Sequence, residues 1–120
     1  MNKWRWAAMT MLGLAATPAW AAMTSQPLEW QHQGTTFSGV LVYDDDGDAR
    51  RPGVVMVPNW RGVNASAIAK AEQIAGDDYV VLVADVYGKN VRPKDNDAAA
   101  AASKPLREDR ALLRARAAAA

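Results

Sequence analysis

The sequence predicts an α/β protein, and three observations carry that prediction. Residues 54–57 (VVMV) and 79–84 (YVVLVA) are continuous apolar runs, the pattern of strands buried on both faces of a parallel sheet. Between them, residues 65–75 (ASAIAKAEQIA) set Ile68, Ala71, Ile74 and Ala75 at helical spacing. Strand, helix and strand within residues 52–88 make one β-α-β unit, expected to close as a right-handed parallel crossover.

The chain opens with an export signature. Lys3 and Arg5 form a short positive region, residues 6–14 are mostly apolar, and Ala19-Trp20-Ala21 supplies the small-x-small pattern of a cleavage site. The apolar run is far short of the roughly 20 residues of a membrane span, and Pro18 interrupts it. No Arg-Arg pair precedes the apolar run to mark the twin-arginine route, and no cysteine can carry a lipid. Residues 1–21 are therefore expected to be a cleaved signal peptide. The mature chain then starts at Ala22 in the periplasm or outside the cell.

Cleavage removes two of the 14 basic residues and leaves 12 against 13 acidic ones. That balance gives no electrostatic case for nucleic acid or an anionic membrane as partner. With no cysteine in 120 residues, disulfides are excluded and stability must come from burial.

Residues 23–28 read as a polar lead-in, followed by strands at 29–33 and 36–43 joined at Gly34. In the second strand Phe37, Gly39, Leu41 and Tyr43 share one face, and Ser38, Val40 and Val42 the other. Residues 44–48 (DDDGD) form a turn, since Asp and Gly tolerate left-handed backbone. The spacing does not fit a calcium loop, because Gly47 comes too early and no closing Glu follows. Asn64 is an N-cap and Gly76 a C-cap for the helix between them. Beyond a polar loop at 89–97, an alanine-rich turn or short helix covers 97–102. A final helix carries Leu106, Arg110, Leu113 and Ala117, with Pro105 near its first turn. It ends without a cap or glycine, in the manner of a cut edge.

In open parallel sheets, ligands sit beyond the carboxyl ends of the strands. Residues 58–64 and 85–89 fall there. Backbone amides of the first segment, next to a helix N-terminus, suit a developing negative charge. One glycine, Gly62, between strand and helix is too few for a dinucleotide fingerprint or a phosphate-binding P-loop. No His or Cys cluster offers metal ligation, and no cofactor is implied. The one histidine, His32, sits between Gln31 and Gln33 as a solvated strand residue. Asn64-Ala65-Ser66 is formally a glycosylation acceptor, but its place at the helix start favours capping.

Four stretches carry a more specific signal: Phe37-Ser38-Gly39-Val40-Leu41, Pro52-Gly53-Val54-Val55-Met56-Val57, Asn59-Trp60-Arg61-Gly62-Val63-Asn64, and Tyr79-Val80-Val81 running to Ala84-Asp85-Val86-Tyr87-Gly88. In this order, over residues 34–116, they resemble the opening half of a dienelactone hydrolase family protein, a branch of the α/β-hydrolase fold. The resemblance implies that residues 22–120 are the N-terminal part of such a domain: first strands, one β-α-β unit and a further helix, truncated before the nucleophile elbow. It also implies an ester or lactone substrate. The nucleophile is usually Cys in Gly-x-Cys-x-Gly, and it and the triad Asp and His would lie beyond residue 120.

Among the residues present, the resemblance assigns the backbone N–H of Trp60 to an oxyanion hole. Asn59 stands where the best-known members carry Glu, and an amide cannot take up a proton as that carboxylate does. Arg61 either pairs with a substrate carboxylate at the mouth of the site or is a solvated loop arginine. Tyr87 either lines the pocket or packs beside it. Asp85 is the structural Asp of an Asp-x-Tyr-Gly signature rather than a catalytic one.

Three readings follow: half of an exported hydrolase that is inactive alone, a non-catalytic fragment or interaction partner, and a small exported module binding an anion through residues 59–64. For the half-domain, the open sheet edge is expected to promote self-association.

Overall fold

The computed structural model describes residues 22–46 and 50–120. The export signature and residues 47–49 of the acidic turn lie outside the described residues. Four strands form one sheet: β1 (Met23–His32), β2 (Thr35–Asp44), β3 (Gly53–Met56) and β4 (Val80–Val83), in the order β1-β2-β4-β3. The first two junctions are antiparallel, whereas β3 and β4 pair in parallel with Val54 opposite Val81 and Met56 opposite Val83. Helix α1 (Ala65–Ala75) connects β3 to β4, giving the expected β-α-β unit.

The polar residues 23–28 are not a lead-in but the outer half of β1, which pairs with β2 along its whole length. They lack an apolar alternation because β1 is an edge strand exposed over most of that stretch. Ladder hydrogen bonds come from the backbone and need no apolar side chain. The hairpin turns at Gln33 and Gly34, both at positive φ (49° and 77°), the two-residue geometry that matches strand twist.

Covering elements change along β2. Val40 and Val42 face α1, where Val42, Val81, Val83, Ala71 and Ala75 form the buried cluster. Alanines at the contact let the helix lie close on the sheet. On the opposite face Phe37 is fully buried, with the Trp30 ring stacked on it at 5.9 Å and the Arg116 guanidinium 5.4 Å from its centroid. Gly39 lies beneath the same indole. A Cβ there would come within 2.4 Å of the Val83 carbonyl oxygen and 3.0 Å of the Trp30 ring.

Strand β3 departs from its expected burial on both faces. Val54 and Met56 pack toward α1, but Val55 is 56% and Val57 43% exposed. Their face is left partly open, and among the described residues the outer edge of β3 is unpaired. Helix α1 starts and stops as its sequence indicates. Asn64 Oδ1 accepts from the Ala67 N–H at 2.9 Å, and the Gly76 N–H closes on Glu72. Ile74, expected on the apolar face, lies at its margin and is exposed.

The C-terminal region corrects two expectations. Residues 97–102 belong to a longer helix, α2 (Asn96–Glu108), and Pro105 lies inside its final turns, not at the start of a helix. Proline cannot supply the i→i−4 hydrogen bond. The chain leaves helical geometry at Asp109 (φ −122°, ψ 91°) before α3 (Arg110–Ala118) begins. Asp109 then caps α3, its carboxylate accepting from the Ala111 and Leu112 N–H groups at 3.0 Å.

Candidate active-site loop

Because β3 and β4 are parallel, the segments leaving their carboxyl ends emerge side by side. Their meeting point is an open cleft of about 570 Å³. Pro58, Asn59 and Trp60 form one wall, Val86 and Tyr87 the adjoining surface, and α2 and α3 the far wall through Leu106, Arg107 and Arg110. Three of the four sequence-predicted site residues, Asn59, Trp60 and Tyr87, meet here.

Residues 59–62 form a tight turn. The Gly62 N–H donates to the Asn59 carbonyl at 2.9 Å, and the Arg61 N–H donates to Asn59 Oδ1 at 2.9 Å. Neither Trp60 nor Arg61 has positive φ, so the turn is type I in character, followed by Gly62 at φ 72°. Glycine is favoured there by its positive φ, and an added Cβ would also crowd the Tyr87 ring at 3.1 Å. The Tyr87 hydroxyl reaches across and donates to the Trp60 carbonyl at 2.8 Å. Burial raises the Tyr87 phenol above its ordinary pKa, with the Ser103 hydroxyl and the Arg107 guanidinium pulling the other way.

Arg61 does not line this cleft. Its guanidinium donates to the Lys94 carbonyl at 3.2 Å and to Asn96 Oδ1, strapping the turn to the segment that enters α2. Asp85 is almost fully buried, and its carboxylate is filled by backbone donors: Ser38 and Tyr87 N–H at 3.0 Å and Gly88 N–H at 3.1 Å. Arg92 completes it at 3.4 Å. This is the structural Asp that the motif suggested.

Sequence reasoning missed Ser103, Arg107, Arg110 and Arg114, all lining the cleft. Their spacing (i, i+4, i+7, i+11) marks one helical face, a signal obscured by Pro105 and by the break at Asp109. It also missed Arg116, whose guanidinium donates to the Val86 carbonyl at 2.9 Å and so fixes α3 against the loop after β4.

Among curated proteins, none is similar enough to match the chain. Two solved structures are similar to it. One is described as m3DLH, with 30% identity and a TM-score of 0.69, over 81% of this chain and 42% of that one. The other is a dienelactone hydrolase-like promiscuous phosphotriesterase, P91, from metagenomic libraries, with 30% identity and a TM-score of 0.74, over 82% of this chain and 41% of that one. The chain thus spans about two fifths of the length of the solved structures it matches. The model of the dienelactone hydrolase family matches residues 37–120, which take in both strand-end loops, and the chain belongs to that family.

Proposed function

We propose that the protein is an exported hydrolase that cleaves an ester or lactone, and that residues 59–62 are its oxyanion loop. The observation that carries this is the turn itself. It lies at the carboxyl end of β3 and on the cleft wall, and its Trp60 N–H has no acceptor among the described residues. Attack on an ester carbonyl puts negative charge on oxygen, and a fixed, unengaged N–H beside the cleft is suited to receive it. The nucleophile, a Cys or Ser, and the second N–H, from the residue following it, belong to sequence beyond residue 120. Residues 1–120 by themselves are inactive in this reading.

Cleavage of a phosphotriester also develops charge on a non-bridging oxygen, which the same loop would stabilise, so phosphotriesters are a second substrate class to test. The experiment is hydrolysis of p-nitrophenyl butyrate, a simple lactone and a phosphotriester by the protein expressed from its whole reading frame. Turnover abolished by iodoacetamide assigns a Cys nucleophile, and turnover abolished by a fluorophosphonate assigns Ser. Absence of turnover on all three substrates contradicts the proposal. Export is tested by N-terminal sequencing of the accumulated protein, which should begin at Ala22.

A further inference from the structure

We propose that Asn59 and Tyr87 are positioning residues, which together hold the 59–62 turn so that the Trp60 N–H faces out of it. The inference rests on the oxyanion-loop reading above. Two of the turn's three peptide units are fixed separately. In the Asn59–Trp60 unit the carbonyl accepts from Gly62 N–H at 2.9 Å. There are no cis peptides among the described residues, so this unit is trans, with its N–H opposite its carbonyl. A carbonyl turned into the turn therefore sends the Trp60 N–H outward.

The next unit, Trp60–Arg61, is held at both ends. Tyr87 Oη donates to its carbonyl at 2.8 Å, and its N–H donates to Asn59 Oδ1 at 2.9 Å. Neither end can swing without breaking one of these bonds, so the middle peptide of the turn is locked against the first, whose carbonyl the Gly62 N–H holds. Tyr87 is itself anchored, since its backbone N–H is bonded to the buried carboxylate of Asp85 at 3.0 Å. A chain of contacts thus runs from the sheet interior through Asp85 and Tyr87 to the turn.

This assigns roles that the residue types alone leave open. The Asn59 side-chain oxygen is committed to the Arg61 N–H, so the residue serves as a turn acceptor where proton uptake is chemically unavailable to an amide. The Tyr87 hydroxyl proton is directed at a backbone carbonyl, so the phenol acts through Trp60 and is not a proton donor to substrate.

The test is residue-resolved amide exchange by NMR on the full chain, with Tyr87→Phe, Asn59→Leu and Asn59→Asp. Losing one hydrogen bond of this kind should speed exchange at Arg61 and Gly62 about three- to tenfold in Tyr87→Phe and Asn59→Leu. Asn59→Asp, which keeps an acceptor, should hold the parental rates. The Val81 and Val83 amides in the core report any general loosening and should not move. Acetate, a carboxylate stand-in for the oxyanion, should shift the Trp60 amide resonance in the parent and less so in Tyr87→Phe. Unchanged exchange at Arg61 and Gly62 in both Tyr87→Phe and Asn59→Leu overturns the positioning role. Accelerated exchange with no acetate response in the parent supports the clamp and counts against the oxyanion-loop reading instead.

Discussion

The carboxylate of Asp85, at the end of β4, accepts the backbone N–H of Ser38 in β2 at 3.0 Å, across 47 residues of sequence. The same carboxylate receives Tyr87 and Gly88, and Arg92 bridges back by donating to the Ser38 carbonyl at 2.8 Å. One buried acid therefore joins the hairpin to the loop that carries Tyr87. Its replacement by a residue with no acceptor strands three backbone N–H donors.

Asp85→Ala should lower unfolding free energy by about 3 kcal/mol in urea titrations, because it leaves backbone N–H donors in and beside the core without their acceptor. Asp85→Asn keeps the shape and one acceptor oxygen and should cost less. Equal stability of Asp85→Ala and the parent would show that the carboxylate is not the tie described.

Two glycines of the sheet, one in β2 and one in β3, should respond oppositely to alanine. At Gly39 an added Cβ meets the Val83 carbonyl oxygen at 2.4 Å, so backbone must shift and the cost should be about 1–3 kcal/mol. At Gly53 nothing lies within 4 Å and the φ is not positive, so Gly53→Ala should be neutral or stabilising by up to about 1 kcal/mol. Paired thermal melts decide the point.

These contrasts show what the sequence made legible. Helix α1 was readable to the residue, because Asn64, the apolar spacing and Gly76 all act locally. The parallel strands were readable from continuous apolar runs, and the strand-end loops followed from them. The partial exposure of β3 was not, since an apolar run records what a strand is suited to and not what covers it here. Residues 23–28 escaped because an exposed edge strand needs no apolar pattern. The site was half legible: Asn59, Trp60 and Tyr87 stand in recognisable wording. The helical wall with Ser103 and Arg107 depends on how the chain packs after the break at Asp109.

Burial holds the Tyr87 phenol above its ordinary value of 10.0, so the folded state favours the neutral form. The stability this contributes is fully present below about pH 10 and is lost as pH rises through the higher folded value. Melting temperatures should fall more steeply above pH 10 in the parent than in Tyr87→Phe, which has no phenol to ionise at this site. Parallel curves would show that Tyr87 ionisation is not linked to folding.

The most direct test of the oxyanion loop is a single deletion of its N–H. Trp60 occupies the second position of a type I turn, where proline is well accommodated. Trp60→Pro therefore removes the amide hydrogen while keeping the turn, and Trp60→Ala removes the indole while keeping the amide. In p-nitrophenyl butyrate hydrolysis by the protein from its whole reading frame, kcat of Trp60→Pro should fall about 100- to 1000-fold below that of Trp60→Ala. Equal kcat values for the two variants, both folded by their melts, would contradict the account.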